Sequence, residues 1–577
     1  MSWGTLPNAA PDATFFRAGR GEITMSSMKS LLLGSAAGLV AVTGAHAADL
    51  PVKAKPIEYV RICSLYGDGF FYIPGTDTCL KLGGWVRYDG YFNQNSGANP
   101  PVGGGAGRND RADSPDYSDR SRTVISLDAR TPTEFGTLRA YYRVGFEFTA
   151  GLTSQYANGT YYNERAFIEL GGWTFGNAQS FFDIFANAWS YGGGNIPSGS
   201  NTNTFGTNLA AYTWRFGNGI RATLSIEDGN PRRNSIWDAT SGPAIAGVAP
   251  AGISYSIGST SIGPTGPATN GYTSCGVSLV SNDNTIAGTT TNGLNAVGCG
   301  WGDYAAQQAP DIVGELLVEQ AWGAVEVTGA LHQLRANYYG NNFVVASPTF
   351  TGIAPNAVWG GAVAAGIQIN LPWNKGDKFW VESAYAVGAG SYVGFGNNVG
   401  YNSAFARYNG AYLANGVALD AVFANNAIMP FSGLQLSTAW MVTAAIEHYW
   451  TPALRTSVYG SYAFWTPGGT GNLLMCSSPG APVRTTAAFA APTGDAALPG
   501  CNFDFATWAV GSRTVWNPVK NLDIGAEIIY QQLDQHMDPN LIRWNFGGAG
   551  ARPGGLYIPA NEGVWSGMFR VQRNFYP

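Results

Sequence analysis

The side chains best suited to catalysis or metal binding in this 577-residue chain are its four histidines and six cysteines, and neither set has catalytic or ligand spacing. His46, His332, His448 and His536 form no HExxH or other metal-spaced pair, and the chain contains no GxSxG elbow and no GxxxxGK[ST] phosphate loop. His332 shares the polar side of an alternating segment with Glu326 and Thr328. A Ser–His hydrolase therefore stands as an alternative, although a histidine without a companion motif reads more simply as part of a polar wall. No cofactor, metal or nucleic-acid site is expected, and a net charge of −5 offers no basic footprint for nucleic acid.

The cysteines fall in three consecutive pairs, Cys63 and Cys79, Cys275 and Cys299, and Cys476 and Cys501. Their separations exclude CxxC redox and zinc patterns. Neighbours in sequence close the shortest loops, which favours three local disulfides, each contributing about 3 kcal/mol on the chain-entropy account. Six free thiols are the alternative, one that an exported chain rarely keeps.

Export is written in the N-terminal region. Lys29 precedes the uncharged run Leu31–Val42, and Ala45-His46-Ala47 supplies the small residues of a cleavage site. Residues 28–47 read as a secretory signal, 1–27 as an upstream extension and 48–60 as a linker ahead of the folded part, 61–577. The apolar run is too short for a membrane helix.

The remaining chemistry is that of fixed charge on strands. Only 12% of residues are charged, about half the roughly 25% of soluble proteins. Aromatics reach 13% with 78 glycines, and mean hydropathy is near zero. In Leu138–Phe148 one face carries Leu138, Ala140, Tyr142, Val144, Phe146 and Phe148, and the other Arg139, Tyr141, Arg143, Gly145 and Glu147. Only a strand sorts residues this way. Ile220–Glu227 and Leu522–Ile528 repeat the pattern, with shorter matches at 125–130, 165–170, 212–216, 325–332 and 454–462.

A soluble sandwich and a transmembrane barrel both alternate. Segments of about 10 residues, aromatics at their ends (Trp173 and Phe175, Tyr449 and Trp450, Phe575 and Tyr576) and an apolar face nearly free of charge favour the barrel. Short connections such as 131–136 and 216–219 alternate with long Gly/Ser/Thr/Asn-rich ones at 93–119, 237–303 and 466–502, as an outer-membrane barrel requires.

Several segments carry a family likeness. Ala48–Pro56, Val60–Gly67 and Phe71–Gly84 resemble the start of alphaproteobacterial (rhizobial-type) outer-membrane general porins. Phe175–Asp183 resembles the beginning of that family's inward-folded third loop, and Glu447–Pro452 and Gly511–Pro518 its strand–turn segments. The resemblance implies an all-β, antiparallel transmembrane barrel of 16 strands with long extracellular loops. It also implies a homotrimer in outer-membrane lipid and lipopolysaccharide, passing small hydrophilic solutes and ions by passive diffusion. Long loops and an ending Phe575-Tyr576-Pro577 depart from the compact pattern.

On this reading the alternating polar faces put Arg87, Arg139, Arg143, Arg215, Arg221 and Arg455 in the lumen, with Glu147, Glu227, Glu326 and Asp523. If the third loop folds inward, Asp183 is the acidic group expected to face the arginines across a constriction, with opposed charges setting selectivity. So many unpaired lumen charges argue against a plugged barrel of adhesive function.

Overall fold

A computed structural model of the chain describes residues 61–93, 117–150, 158–186, 188–191, 199–202, 205–239, 278–279, 296–297, 304–337, 339, 353–395, 404–425, 429–477, 483–484, 498–546 and 555–575. The expected signal, linker and upstream extension, and Cys275 and Cys299, lie outside these residues.

The alternating segments are strands, and they close on themselves. In chain order they are β1 (Cys79–Phe92), β2 (Tyr117–Thr133), β3 (Gly136–Ala150), β4 (Asn158–Leu170), β5 (Trp173–Ala178), β6 (Thr207–Gly217), β7 (Ile220–Glu227) and β8 (Asp311–Gln320). They continue as β9 (Gly323–Leu334), β10 (Val358–Asn370), β11 (Lys378–Val387), β12 (Thr438–Thr451), β13 (Leu454–Thr466), β14 (Phe505–Trp516), β15 (Leu522–Gln535) and β16 (Glu562–Asn574). Each pairs antiparallel with the next, and β16 pairs back onto β1 from Trp85↔Asn574 to Phe92↔Gly567. The expected all-β, 16-stranded antiparallel barrel is the observed fold. Closure leaves no edge to satisfy, which a strand in lipid requires.

The exterior shows why these sequences belong in a bilayer. Leu82, Val86, Ile125, Leu224, Ile226, Leu316, Val363, Val458 and Ile528 all stand exposed on the outer face. Trp173 and Phe175 stack at 5.6 Å near one rim, where an interface favours aromatics. Hydrocarbon cannot satisfy a phenol, so outward tyrosines find partners on the wall: Tyr142 bonds Tyr161 at 2.7 Å, and Tyr88 and Tyr117, 3.1 Å apart, both donate to Asp119 at 3.2 and 3.3 Å.

Connections alternate between tight and long. At the β6–β7 turn Gly217, Asn218 and Gly219 all take positive φ (84°, 49° and 71°), and a Cβ on Gly219 would lie 1.8 Å from the Glu319 carbonyl oxygen. Short polar and glycine residues are what such a turn requires.

The long connections form structure of their own. Ile236–Asp238 pairs parallel with Ala421–Phe423, which pairs antiparallel with Gln435–Leu436. A helix, Gly468–Ser477, follows β13 and is tied by the Cys476–Cys501 disulfide. Leu413, Val417, Leu419, Val422, Tyr392 and Phe395 from residues 388–437 share one buried apolar cluster with Ala330, Ala362, Ala364, Ala384, Ala386, Ala439 and Ala463. Those alanines belong to the inner face of β9–β13, and small side chains there let the loops approach the wall closely. The inner face is therefore polar only in part. That correction bears on the pore, because part of the mouth is filled by packed loops.

Candidate functional site: the arginine-lined lumen

One parity of side chains on every barrel strand points inward, and the registers align them across strands. Arg87 on β1 faces Arg122 on β2, and Asp89 faces Arg120. Arg122 in turn faces Glu147 on β3, while Ser126 faces Arg143 and Arg130 faces Arg139. Arg143 meets Arg165 on β4. Across the barrel's closure Asp89 faces Arg570 on β16, and Arg513 on β14 faces Glu527 on β15. With Arg455 on β13, guanidinium groups from β13, β14, β16 and β1–β4 form a band in which β15 contributes Glu527.

Cations this close need interleaved carboxylates. Asp89 receives Arg87, Arg120 and Arg570 at 3.0, 3.2 and 2.6 Å. Glu147 lies 2.5 Å from Arg122, and Glu164 2.5 Å from Arg143. Asp128 bridges Arg130 and Arg139 at 2.8 and 3.0 Å, with Glu169 3.1 Å from Arg139. Glu447 is shared by Arg513 at 2.8 Å and Arg455 at 3.7 Å, and Arg221 pairs with Glu315 at 2.8 Å. Several guanidiniums also lie over rings: Arg87 over Trp85 at 4.5 Å and Arg122 over Tyr162 at 5.0 Å.

The pairs are unequal toward water. Arg221 is 43% exposed and its partner Glu315 2%; Arg143 is 29% exposed and Glu164 5%. Arg130, Arg455, Arg87 and Arg570 are likewise more open than the carboxylates beneath them. Glu147 and Glu169 are the exceptions, each more open than its arginine partners, and Glu447 is marginally more open than Arg513. Ionised pairs of zero net charge can thus present a basic surface.

The third loop, between β5 and β6, lies against the inner wall. Ser180 Oγ and the Phe181 N–H donate to Glu227 on β7 at 2.6 and 3.1 Å. On β10 a Cβ at Gly366 would come within 2.7 Å of Ile184 and 2.8 Å of Phe185, so this glycine makes room for the loop. Trp189 lies 5.8 Å from Trp380 on β11. Ser457 on β13 donates to the Trp189 carbonyl at 2.8 Å, Arg513 to the Ala188 carbonyl at 3.1 Å, and the Tyr191 N–H to Glu527 at 2.9 Å.

Asp183 is placed elsewhere than expected. Its carboxylate is fully enclosed, accepting from the Ser200 hydroxyl, from the Thr202 N–H at 2.6 Å and hydroxyl at 2.5 Å, and from Arg232 at 3.3 Å. The group braces the loop's two arms, and its ion pair is with Arg232 and not with an arginine of the early strands. Arg232 lies 49 residues on, within the β7–β8 connection, where nothing in local spacing announces it.

Of the other expected residues, Arg87, Arg139, Arg143, Glu147, Arg221 and Arg455 are on the inner face as the alternation indicates. Each is ion-paired, so the argument from unpaired lumen charges does not hold. Arg215 opposes Arg221 at the turn end of β6 and is exposed. Sequence reasoning missed Asp89, Arg120, Arg122, Arg165, Arg513, Arg570 and Tyr191. For Arg120 and Arg122 a signal existed, since β2 begins at Tyr117 and both share the parity of Arg130. Among the cysteines, Cys63–Cys79 and Cys476–Cys501 are disulfides.

A closed barrel with this wall and an inward loop invites comparison with known proteins. The sequence profile of the porin subfamily matches residues 49–546. The chain belongs to the porin subfamily. Porin Omp2b of Brucella canis and of Brucella abortus (strain 2308) are each 37% identical to this porin over 212 residues, covering 35% of its chain and 54% of theirs. The chain thus spans about half the length of the curated relatives it matches. Among solved structures, the outer membrane channel DcaP of Acinetobacter baumannii aligns over 87% of this chain and 99% of that one, at 14% identity and a TM-score of 0.47. Family and apolar exterior together place this porin in a bacterial outer membrane.

Proposed function

We propose that this porin is a water-filled diffusion channel for small hydrophilic solutes and ions, and that it favours anions. The observation that carries the reading is the unequal exposure of the lumen ion pairs, in which guanidiniums such as Arg221 and Arg143 meet water over buried carboxylates. A permeating ion samples the exposed charge most strongly, because its interaction with the buried partner is longer. The alanine-lined sector of the barrel is filled by loops, so the path lies along the arginine band, bounded where the third loop rests on β13–β15. Arg87, Arg139, Arg143, Arg221 and Arg455 line it, with Glu147 among them and Arg215 at the turn end.

We place the protein in lipid and lipopolysaccharide as a homotrimer. The tyrosine pairs on the outer face of β1–β4 support this, since a subunit contact suits hydroxyl-bearing rings better than hydrocarbon does. A hydrolase reading would rest on His332, whose ring nitrogens are engaged by Asp311 at 2.8 Å and Tyr304 at 3.3 Å. The direct test of diffusion is solute entry into proteoliposomes made with the refolded mature chain. Swelling rates that fall with the size of neutral sugars support a pore; no swelling above that of empty vesicles overturns it.

A further inference from the structure

The third loop ends its described course on the wall with one aromatic side chain in a slot. Tyr191 lies with Arg570 over its ring at 4.2 Å and Arg513 at 5.1 Å. At the floor of the slot is Gly525 on β15, where an added Cβ would sit 2.3 Å from the Tyr191 hydroxyl oxygen. The same Cβ would lie 2.7 Å from the Thr514 carbonyl oxygen and 3.2 Å from Tyr191 Cε2, so a side chain at position 525 crowds both the ring and the neighbouring strand. The backbone is held as well, because the Tyr191 N–H donates to Glu527 Oε1 at 2.9 Å, an oxygen that also accepts from Tyr459 at 2.8 Å. The hydroxyl itself is buried with no hydrogen-bond partner among the described residues. The ring is therefore held by shape and by the two guanidiniums, not by its oxygen.

Two consequences follow. The ring covers one face of Arg570, whose Nε is bound to Asp89, and one face of Arg513, which is bound to Glu447. Two cation–π contacts hold the loop without hydroxyl chemistry. The same ring also holds this end of the loop against the β14–β16 side of the lumen.

We propose that Tyr191 is a specificity-determining positioning residue: seated over Gly525 between Arg513 and Arg570, it fixes the distal arm of the third loop and screens two guanidiniums from the pore. This rests on the channel reading above. Emptying the slot releases the arm and uncovers positive charge, so the pore widens and its preference for anions grows. Filling the slot from below, with a methyl group at position 525, ejects the ring to the same effect.

The test is single-channel recording in planar bilayers under a KCl gradient on wild type, Tyr191→Phe, Tyr191→Ala, Gly525→Ala and the double Tyr191→Ala/Gly525→Ala variant, each first shown to be folded by its heat-dependent gel mobility. Tyr191→Ala and Gly525→Ala are each expected to raise conductance and shift the zero-current potential toward that of chloride. Tyr191→Phe should match wild type, and the double variant should match Tyr191→Ala alone. A Tyr191→Ala channel with wild-type selectivity overturns the proposal. So does a Tyr191→Phe channel that behaves like Tyr191→Ala, or a Gly525 effect that adds to the loss of Tyr191. If Gly525→Ala does not fold, the Phe and Ala variants at position 191 decide alone. A folded wild type that does not conduct removes the channel reading and this one with it, whereas a conducting wild type with unchanged variants removes only this one.

Discussion

Arg570 and Asp89 join the last barrel strand to the first, Nε to Oδ1 at 2.6 Å, with the Asp89 side chain wholly enclosed. Asp89 also serves Arg87 and Arg120, so one carboxylate neutralises three guanidiniums at the seam. Tyr91 adds a hydrogen bond to it at 3.0 Å. A buried anion so surrounded holds the closing strands in one register.

Removing that charge tests the seam. In Asp89→Asn, three buried cations lose their shared counter-charge, a change that costs roughly 3–5 kcal/mol when a buried pair is broken. Urea titration of the refolded barrel should show a matching loss of stability, and channels that do form should be more anion-preferring. Wild-type stability would mean that the seam does not depend on this group.

Selectivity should follow exposure. Arg143 is open to water over its enclosed partner Glu164, so Arg143→Gln removes positive charge from the surface and leaves a carboxylate behind. The reversal potential under a salt gradient should move toward the cation. The shift should exceed that for Arg120→Gln, whose guanidinium is 6% exposed. Equal shifts would count against exposure as the controlling quantity.

The loops should respond to pH through Asp420. This carboxylate, outside the membrane-spanning strands, accepts from the N–H groups of Asn234 at 2.7 Å and Gly390 at 3.0 Å and from the Tyr304 hydroxyl at 2.8 Å. Around it, His332 also contacts Tyr304, Arg233 lies over the Tyr304 ring at 4.6 Å, and Asp311 binds His332. Burial pushes the Asp420 carboxyl up to about 6, against an ordinary 3.8. A carboxyl raised on folding binds its proton more tightly in the native state, so its contribution is fully present below about pH 4 and lost as pH rises through about 6. Between pH 4.5 and 7.5 the difference is about 2 kcal/mol. Hydrogen exchange, corrected for intrinsic rates, should show the backbone around Ser235, Gly390 and Asp420 better protected at pH 4.5. Asp420→Asn should flatten the dependence, and greater protection at pH 7.5 would contradict the account.

Alternation made the barrel legible wherever the inner face meets water. Strand β3 keeps its arginines and glutamate on one face, with Tyr141 beside Arg139 the one aromatic among them, because lipid lies on one side and a charged lumen on the other. Strand β10 carries no such signal: its inward residues Gly360, Ala362, Ala364 and Gly366 meet packed loops and the third loop instead of water, so both faces read as apolar or small. The third loop's start was visible, but not the role of Asp183, whose partners Ser200, Thr202 and Arg232 are assembled only by the fold. Arg570 was hidden for a similar reason, since its neighbours on the inner face of β16 include Val564 and Met568, which break the polar pattern.

The arginine band gives this porin an anion-favouring path. The most direct measurement is the zero-current potential of the refolded mature protein in a planar bilayer under a tenfold KCl gradient, read on resolved single-channel steps. Steady ohmic steps and a potential on the chloride side of zero, diminished in Arg143→Gln, are expected. A folded protein that gives no steps, or one whose potential lies on the potassium side, would contradict it.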